Sequence, residues 1–237
     1  MRTTGLKTFS NADRGLHRQA DFATPGAMTR TTQGTLTPLF VSEVYRADLG
    51  SELGEAFLEE LDDTCRAIAD EDEAGQSWSQ QKGYLGYTSY ASLNDLTARA
   101  EVFAALKKKL DAHVAAFAEA LEYDLHGRKL KLDSLWINVL EHLGTHSGHI
   151  HPHSVISGTF YVTIPEGASA LRFEDPRLPQ MMAAPVRKPG ARKDHEAFVS
   201  MAPAPGTVLL WESFIRHEVP INLGEDVRIS VSFNYGY

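Results

Sequence analysis

The sequence contains a single cysteine, Cys65, among its 237 residues. An internal disulfide framework is therefore excluded, and the composition fits a reducing compartment. No apolar run approaches the roughly 20 residues that a membrane-spanning helix needs. Residues 1–30 carry basic side chains but lack the apolar centre of a secretory signal. These absences predict a cytoplasmic protein with no membrane partner, in which Cys65 has the spacing of a helix-face core residue.

Basic residues are in the minority, with 23 Lys and Arg against 31 Asp and Glu, for a formal net charge of −8. Proteins that bind nucleic acid usually present a basic face to the phosphates. We therefore expect no nucleic-acid partner. The apolar share of 43% is ordinary for a folded chain, and the length suits one domain with a sizeable core.

The order of patterns along the chain is an arm, then helices, then strands. Residues 1–32 show no period and are interpreted as a loosely ordered arm, followed by a single domain over 33–237. Apolar residues spaced by three or four predict helices at about 51–70 and 97–122. An early strand is predicted at Thr37–Val44.

The segment Gln76–Leu93 between the two predicted helices is rich in aromatic residues and glycine. We interpret it as an irregular loop that either packs on the core or lines a substrate pocket.

From about residue 130 to 237 the period becomes that of strands, with turn signals and no intervening helices. This pattern indicates an antiparallel sandwich or jelly roll. A stretch rich in proline and basic residues, 176–196, interrupts it and is either a flap over a site or a surface loop. One or two strands are predicted over about 130–140. Further strands are predicted near 157–164, 169–174, 197–202, 207–212 and 227–235.

Four of the ten histidines fall within eight residues, from His146 to His153. Side chains two apart in a strand share a face, so His149 and His151 are expected to point together, with the strand breaking at Pro152. A third imidazole is available at His217, which precedes the last predicted strand. His146 and His153 are expected to be neighbours of this group rather than part of it.

The residue types alone leave the metal open, because neutral imidazoles suit Fe, Zn, Cu and Ni. Arg228 lies on the last strand, and its forked guanidinium is a natural partner for a carboxylate. The alternative for Arg228 is a salt bridge on an exposed strand. Glu174, Asp175 and Glu212 remain candidates for a carboxylate ligand.

Four features of the sequence carry a resemblance to a known family. They are the His-x-His pair, the Ser-Gly-x-x-Tyr strand from Ser157, the distal His217 and the Arg-Ile-Ser-x-Ser-Phe-Asn strand from Arg228. Together they resemble the 2-oxoglutarate/Fe(II) oxygenases of the prolyl-hydroxylase-like, double-stranded β-helix group. The motifs cover roughly the last 110 residues. The resemblance implies an α+β protein with a jelly-roll core and flanking N-terminal helices.

It also implies Fe(II), 2-oxoglutarate and O₂ as cofactors, and hydroxylation of an unknown small molecule or peptide with decarboxylation of 2-oxoglutarate to succinate. The chain departs from the family pattern at His151, where an acidic ligand is usual, so the metal site lacks its negative charge. Carried over residue by residue, the implied metal ligands are His149, His151 and His217, and the implied contacts to the far carboxylate of 2-oxoglutarate are Arg228, Tyr161 and Asn138.

Two other classes remain open. A zinc hydrolase or hydratase could use the same three imidazoles to activate water, with Arg228 binding an anionic substrate. A cupin-like module could bind a metal or small molecule without oxygen chemistry, although Val155 and Ile156 stand where a cupin carries a glutamate. Trp136 and Trp211 either wall the pocket or pack the core, and self-association is left open.

Overall fold

The computed structural model describes residues 30–31, 34–93 and 95–237. It divides into one unit that ends at Val41 and a second that comprises Ser42–Tyr237. In the first unit, β1 (Arg30–Thr31) pairs antiparallel with β2 (Gly34–Thr35). Most of the predicted arm lies outside the described residues, so the boundary proposed at 32/33 stays a prediction.

The second unit is built around two antiparallel sheets. The larger has the strand order β3-β10-β7-β12-β5-β4, and the smaller has the order β6-β11-β8-β9. This arrangement confirms the α+β fold with a double-stranded β-helix core. The strands are β3 (Val44–Asp48), β4 (Gly86–Thr88), β5 (Lys131–Leu140), β6 (His146–His149), β7 (Ile156–Thr163), β8 (Leu171–Glu174), β9 (Phe198–Met201), β10 (Thr207–Glu212), β11 (His217–Val219) and β12 (Arg228–Gly236).

The two faces of the larger sheet differ in chemistry, as β12 shows. Successive side chains of a strand point to opposite faces. One set from β12 packs in the core beneath the helices, and the alternate set lines a cavity between the sheets. The first set is Ile229, Val231, Phe233 and Tyr235; the second is Arg228, Ser230, Ser232 and Asn234.

The helices cover the outer face of the larger sheet. The helix predicted at 51–70 is split into α1 (Gly50–Leu53) and α2 (Glu55–Glu71), because the linking Gly54 has a φ of +83° that a helix cannot contain. A 3₁₀ turn precedes α4 (Glu101–Ala120), which corresponds to the helix predicted at 97–122. Cys65 is buried on α2, as its spacing predicted.

Two predictions of local structure are wrong. The early strand begins at Val44 rather than Thr37, and Phe40 has a left-handed φ of 57° that interrupts an extended chain. The segment Gln76–Leu93 is not an irregular loop, since α3 (Glu73–Gln81) and then β4 occupy much of it.

Gly75 lies in the first turn of α3. Its N–H donates to the Asp72 carboxylate that caps the helix (3.1 Å). A Cβ at this position would lie 2.7 Å from the Tyr87 ring, so the close approach requires glycine. Among the described helices, none combines the length and apolar character needed to cross a bilayer.

Asp72 holds α3 to the rest of the fold, so its removal should destabilise the protein. Its carboxylate accepts hydrogen bonds from the Gly75 N–H, from the Tyr87 hydroxyl at 2.9 Å and from the Ser92 hydroxyl. We expect Asp72→Ala to lower the free energy of unfolding by about 1–3 kcal/mol, as measured by urea denaturation. Asp63→Ala, on the exposed face of α2, is the matched control and should change stability little.

The same substitution should matter less in acid. Burial raises the pKa of Asp72, but hydrogen bonds from Ser92, Gly75 and Tyr87 outweigh it, so the pKa lies below its usual value. A lowered folded-state pKa stabilises the fold at neutral pH, and this contribution is lost as the pH falls through that pKa. The difference in stability between wild type and Asp72→Ala should therefore shrink in acid. A stability difference that is equal at neutral and at acidic pH would contradict the lowered pKa assigned to Asp72.

Candidate metal centre

Three imidazoles meet at the edge of the cavity between the sheets. Each of His149, His151 and His217 offers a ring nitrogen, and these three atoms lie within 4.8 Å of one another. The ring centroids are 4.5 Å apart for His149 and His217, 5.0 Å for His151 and His217, and 5.1 Å for His149 and His151. The three residues singled out in the sequence are thus brought together around one point.

The backbone positions the three histidines differently from the prediction that one strand carries both His149 and His151. His149 ends β6 and pairs in register with His217, the first residue of β11. The strand does not continue to Pro152, so strand alternation does not place His151. Its backbone N–H instead donates to the Ser213 carbonyl at 3.0 Å, which turns the chain after β6 and returns the His151 ring to its neighbours.

Hydrogen bonds orient all three rings in the same sense. The Nδ1 of His149 lies 2.7 Å from the Ser147 carbonyl oxygen, and the Nδ1 of His217 lies 2.9 Å from that of Ile215. A carbonyl oxygen can only accept, so each Nδ1 carries the proton and each Nε2 keeps its lone pair. The three Nε2 atoms are therefore the ones available to a metal.

His151 obtains the same orientation from a side chain. Its Nδ1 lies 2.6 Å from Oδ1 of Asn234 on β12. Asn234 is itself fixed, because Oδ1 also accepts from the Ser157 hydroxyl at 2.7 Å and Nδ2 donates to Ser134 at 3.1 Å. Sequence reasoning missed Asn234, although the alternation of β12 places it on the face that carries Arg228.

Burial keeps the rings of His151 and His217 neutral. It lowers the pKa of His151 to about 4 and that of His217 to about 3, and the neighbouring His149 adds to both shifts. A metal binds the deprotonated nitrogen, so no proton has to be displaced from these two rings at neutral pH.

No carboxylate joins this group within the described part of the chain. The three acidic candidates from the sequence have other partners, which explains their absence from the site. Glu174 accepts from Arg216 (3.1 Å), Asp175 accepts from Arg177 (2.8 Å), and Glu212 accepts from the Tyr123 hydroxyl (2.6 Å).

Arg228 is a buried cation in the adjoining cavity, which has a volume of about 640 Å³. Its side chain is 3% exposed, so it does not form a salt bridge on an exposed strand. Within the described residues it has no carboxylate partner; one guanidinium nitrogen donates to Ser230 at 3.3 Å, and Nε has no partner. A buried unpaired charge is costly, so this position suits an anionic ligand.

Tyr161 and Asn138, the two residues predicted to assist Arg228, differ in availability. Tyr161 is fully buried with its ring 5.1 Å from the Arg228 guanidinium, and its hydroxyl has no hydrogen-bond partner among the described residues. Asn138 lines the cavity, but its amide accepts from Thr88 (2.9 Å) and donates to Ser232 (3.0 Å). Contact of either with a co-substrate stays a prediction.

A fourth histidine lines the cavity without joining the metal group. His146 Nε2 lies 2.7 Å from the hydroxyl of Tyr84, which follows α3. Burial lowers the pKa of His146 to about 3, and it raises the pKa of Tyr84. His153 is exposed and is not among the residues that line the cavity.

The proline-rich stretch 176–196 is a surface loop with short 3₁₀ turns at Leu178–Gln180 and Lys193–His195. Its residues are all described, and none of them lines the cavity. Part of its positive charge is neutralised locally, since Arg177 pairs with Asp175 and Arg192 pairs with Asp194. The interpretation as a flap over the metal therefore finds no support in its position.

Comparisons with known proteins agree with this site. Residues 134–234 match the family model described as "Putative 2OG-Fe(II) oxygenase". This segment runs from β5 through β12 and contains every residue of the predicted metal and co-substrate sites. None of the curated proteins is similar enough in sequence to count as a match.

Solved structures show the same fold at low sequence identity. A Pseudomonas putida prolyl-4-hydroxylase is 13% identical, with a TM-score of 0.53 over 82% of this chain and 92% of its own. HygX from Streptomyces hygroscopicus, solved with nickel and 2-oxoglutarate, is 14% identical, with a TM-score of 0.54 over 83% of each chain. A Burkholderia pseudomallei oxidoreductase of the 2OG-Fe(II) oxygenase family is 17% identical over only 58% of each chain, and its TM-score of 0.42 is too low to bear on the fold.

The β core thus has the fold of the prolyl-4-hydroxylase and HygX structures. The match to the 2OG-Fe(II) oxygenase family model extends over residues 134–234, which are less than half of the chain. The family resemblance drawn from the sequence is confirmed.

Asn234→Ala should weaken metal binding, because the His151 ring loses the acceptor that orients it. Loss of such an outer partner typically costs about 10–100-fold in affinity, and competition with a chromophoric chelator for Co(II) measures the loss. Ser134→Ala is the matched control, since it removes only the far hydrogen bond of the Asn234 amide and leaves the His151 contact intact. Equal losses in the two variants would contradict the role given to Asn234.

Proposed function

We propose that this protein is a 2-oxoglutarate- and Fe(II)-dependent dioxygenase that hydroxylates its substrate. The observation that carries the proposal is one cavity holding both parts of the required site: three convergent imidazole nitrogens and a buried arginine that has no anionic partner among the described residues. Neither part by itself selects this chemistry. Together they match a metal ion and a dicarboxylate co-substrate.

The residues present fit the absent groups. His149, His151 and His217 would hold Fe(II) through their Nε2 atoms, leaving other coordination positions free for 2-oxoglutarate and O₂. Arg228 would bind the far carboxylate of 2-oxoglutarate with two N–H donors. The Tyr161 hydroxyl, which has no partner in the described part of the chain, would donate a further hydrogen bond to that carboxylate.

When bound, Fe(II) and 2-oxoglutarate supply the oxidation: one atom of O₂ enters succinate as 2-oxoglutarate loses CO₂, and the other converts a substrate C–H into C–OH. The chain's own tasks are to bind, orient and exclude water. Apolar side chains of Trp211, Leu140 and Leu171 line the cavity and exclude water. Trp211 is 2% exposed, and its ring lies edge-on to that of His217 at a centroid distance of 4.6 Å. Arg228 and Tyr161 set how far the co-substrate enters.

Arg228→Ala should separate the two halves of the site. In anaerobic protein, Fe(II) with 2-oxoglutarate should give a weak visible metal-to-ligand charge-transfer band, and titration of that band measures co-substrate affinity. The variant should bind 2-oxoglutarate at least about 30-fold more weakly, because a buried charge pair is truncated, while iron content stays unchanged. Arg66→Ala, on the exposed side of α2, is the control.

Two outcomes would contradict the proposal. Loss of iron in Arg228→Ala would show that the arginine supports the metal rather than the co-substrate. Absence of the band in wild-type protein that binds zinc tightly would instead favour a zinc hydrolase, in which the three imidazoles activate water. Succinate release from 2-oxoglutarate under air provides the activity measurement for the same variants.

A further inference from the structure

The mouth of the cavity is aromatic. All three tryptophans of the chain, Trp78, Trp136 and Trp211, line the cavity. Tyr90 lies edge-on to Trp136 at 5.2 Å, and Trp136 lies 5.8 Å from the His151 ring. Tyr90 is 55% exposed, whereas Trp136 is 6% exposed. A continuous aromatic surface therefore leads from solvent to the metal group.

This surface is separate from the position of Arg228. Trp136 pairs in register with Ser232, which lies four residues beyond Arg228 on β12. At about 3.4 Å per residue, the two positions are about 14 Å apart along the strand. A co-substrate held by Arg228 therefore leaves the Tyr90–Trp136 surface to a second molecule.

The charge of the cavity is of one sign. None of its described lining residues is Asp or Glu, although the chain has 31 of them. Its lining cations are Arg228 and Lys82, which follows α3 one helical turn after Trp78. Lys82 is exposed, and no carboxylate pairs with it among the described residues. Buried Trp211 adds an indole N–H with no acceptor there.

The all-imidazole metal group adds to this imbalance. Three neutral histidines leave the two positive charges of Fe(II) uncompensated, whereas the acidic ligand usual at position 151 would remove one of them. One carboxylate of 2-oxoglutarate would pair with Arg228 and the other would offset one charge of the metal, so one positive charge at the metal and that of Lys82 stay unbalanced. A cavity with excess positive charge favours a further anion.

From these observations, and resting on the proposed function, we infer that the primary substrate is a small anion with a flat aromatic or conjugated ring. The ring lies against Tyr90 and Trp136, where offset or edge-on packing is favourable. The acidic group pairs with Lys82 at the mouth. The volume of about 640 Å³ falls in the range of small-molecule sites, which favours such a compound over a protein segment.

A matched pair of probes tests the charge requirement. Phenylacetate and phenylacetamide share the ring and differ in charge, and acetate supplies the charge without the ring. Each is titrated into the full chain loaded with Fe(II) and saturating 2-oxoglutarate without O₂. Tryptophan emission reports binding, because every tryptophan of the chain lines the cavity.

We expect phenylacetate to bind roughly fivefold more tightly than phenylacetamide and acetate to leave the emission unchanged. Lys82→Met should abolish the preference for phenylacetate, whereas Lys108→Met, on the exposed face of α4, should preserve it. Trp136→Leu should weaken both phenyl probes alike.

Equal binding of the two phenyl probes, binding of neither, or a preference that survives in Lys82→Met would overturn the inference while leaving the proposed function intact. The charge-transfer band is read in the same samples. If 2-oxoglutarate itself fails to bind, the proposed function falls, and this inference falls with it.

Discussion

The site depends on the hydrogen bonds that hold one nitrogen of each imidazole. Two of the acceptors are backbone carbonyls placed two residues before His149 and His217, and the third is the Asn234 amide. All three acceptors are neutral. The rings are therefore fixed in one tautomer without gaining negative charge, and the metal position keeps the full charge of whatever ion it holds.

The larger sheet supports this arrangement by separating two environments. Its outer face packs on helices through apolar side chains, and its inner face carries the polar residues that line the cavity. Arg228 and Asn234 stand six residues apart on the inner face of β12, so one strand carries both the arginine of the proposed co-substrate site and the side chain that orients His151. The buried position of Arg228 stabilises the fold only when an anion accompanies it, which links ligand binding to stability.

Much of the core could be predicted from the sequence because its signals are local. The alternation of β12 and the apolar strands predicted the fold class, and the three histidines singled out in the sequence do meet in the structure. Their role as metal ligands and the co-substrate role of Arg228, Tyr161 and Asn138 stay predictions. Prediction failed where long-range contacts decide the structure. The segment Gln76–Leu93 is predicted as an irregular loop, yet α3 and β4 occupy much of it, and Asp72 joins them through the hydroxyls of Tyr87 and Ser92. His151 is placed by Ser213, a residue distant in sequence, rather than by its own strand.

The central claim is that three imidazoles and no carboxylate hold the metal. X-ray absorption at the iron edge of the anaerobic Fe(II)-loaded protein, recorded before 2-oxoglutarate is added, measures this most directly through the scattering of the imidazole rings. We expect a spectrum that requires three imidazole ligands, and two in His151→Ala. A wild-type spectrum that requires only two imidazoles, and that His151→Ala leaves unchanged, would contradict the account.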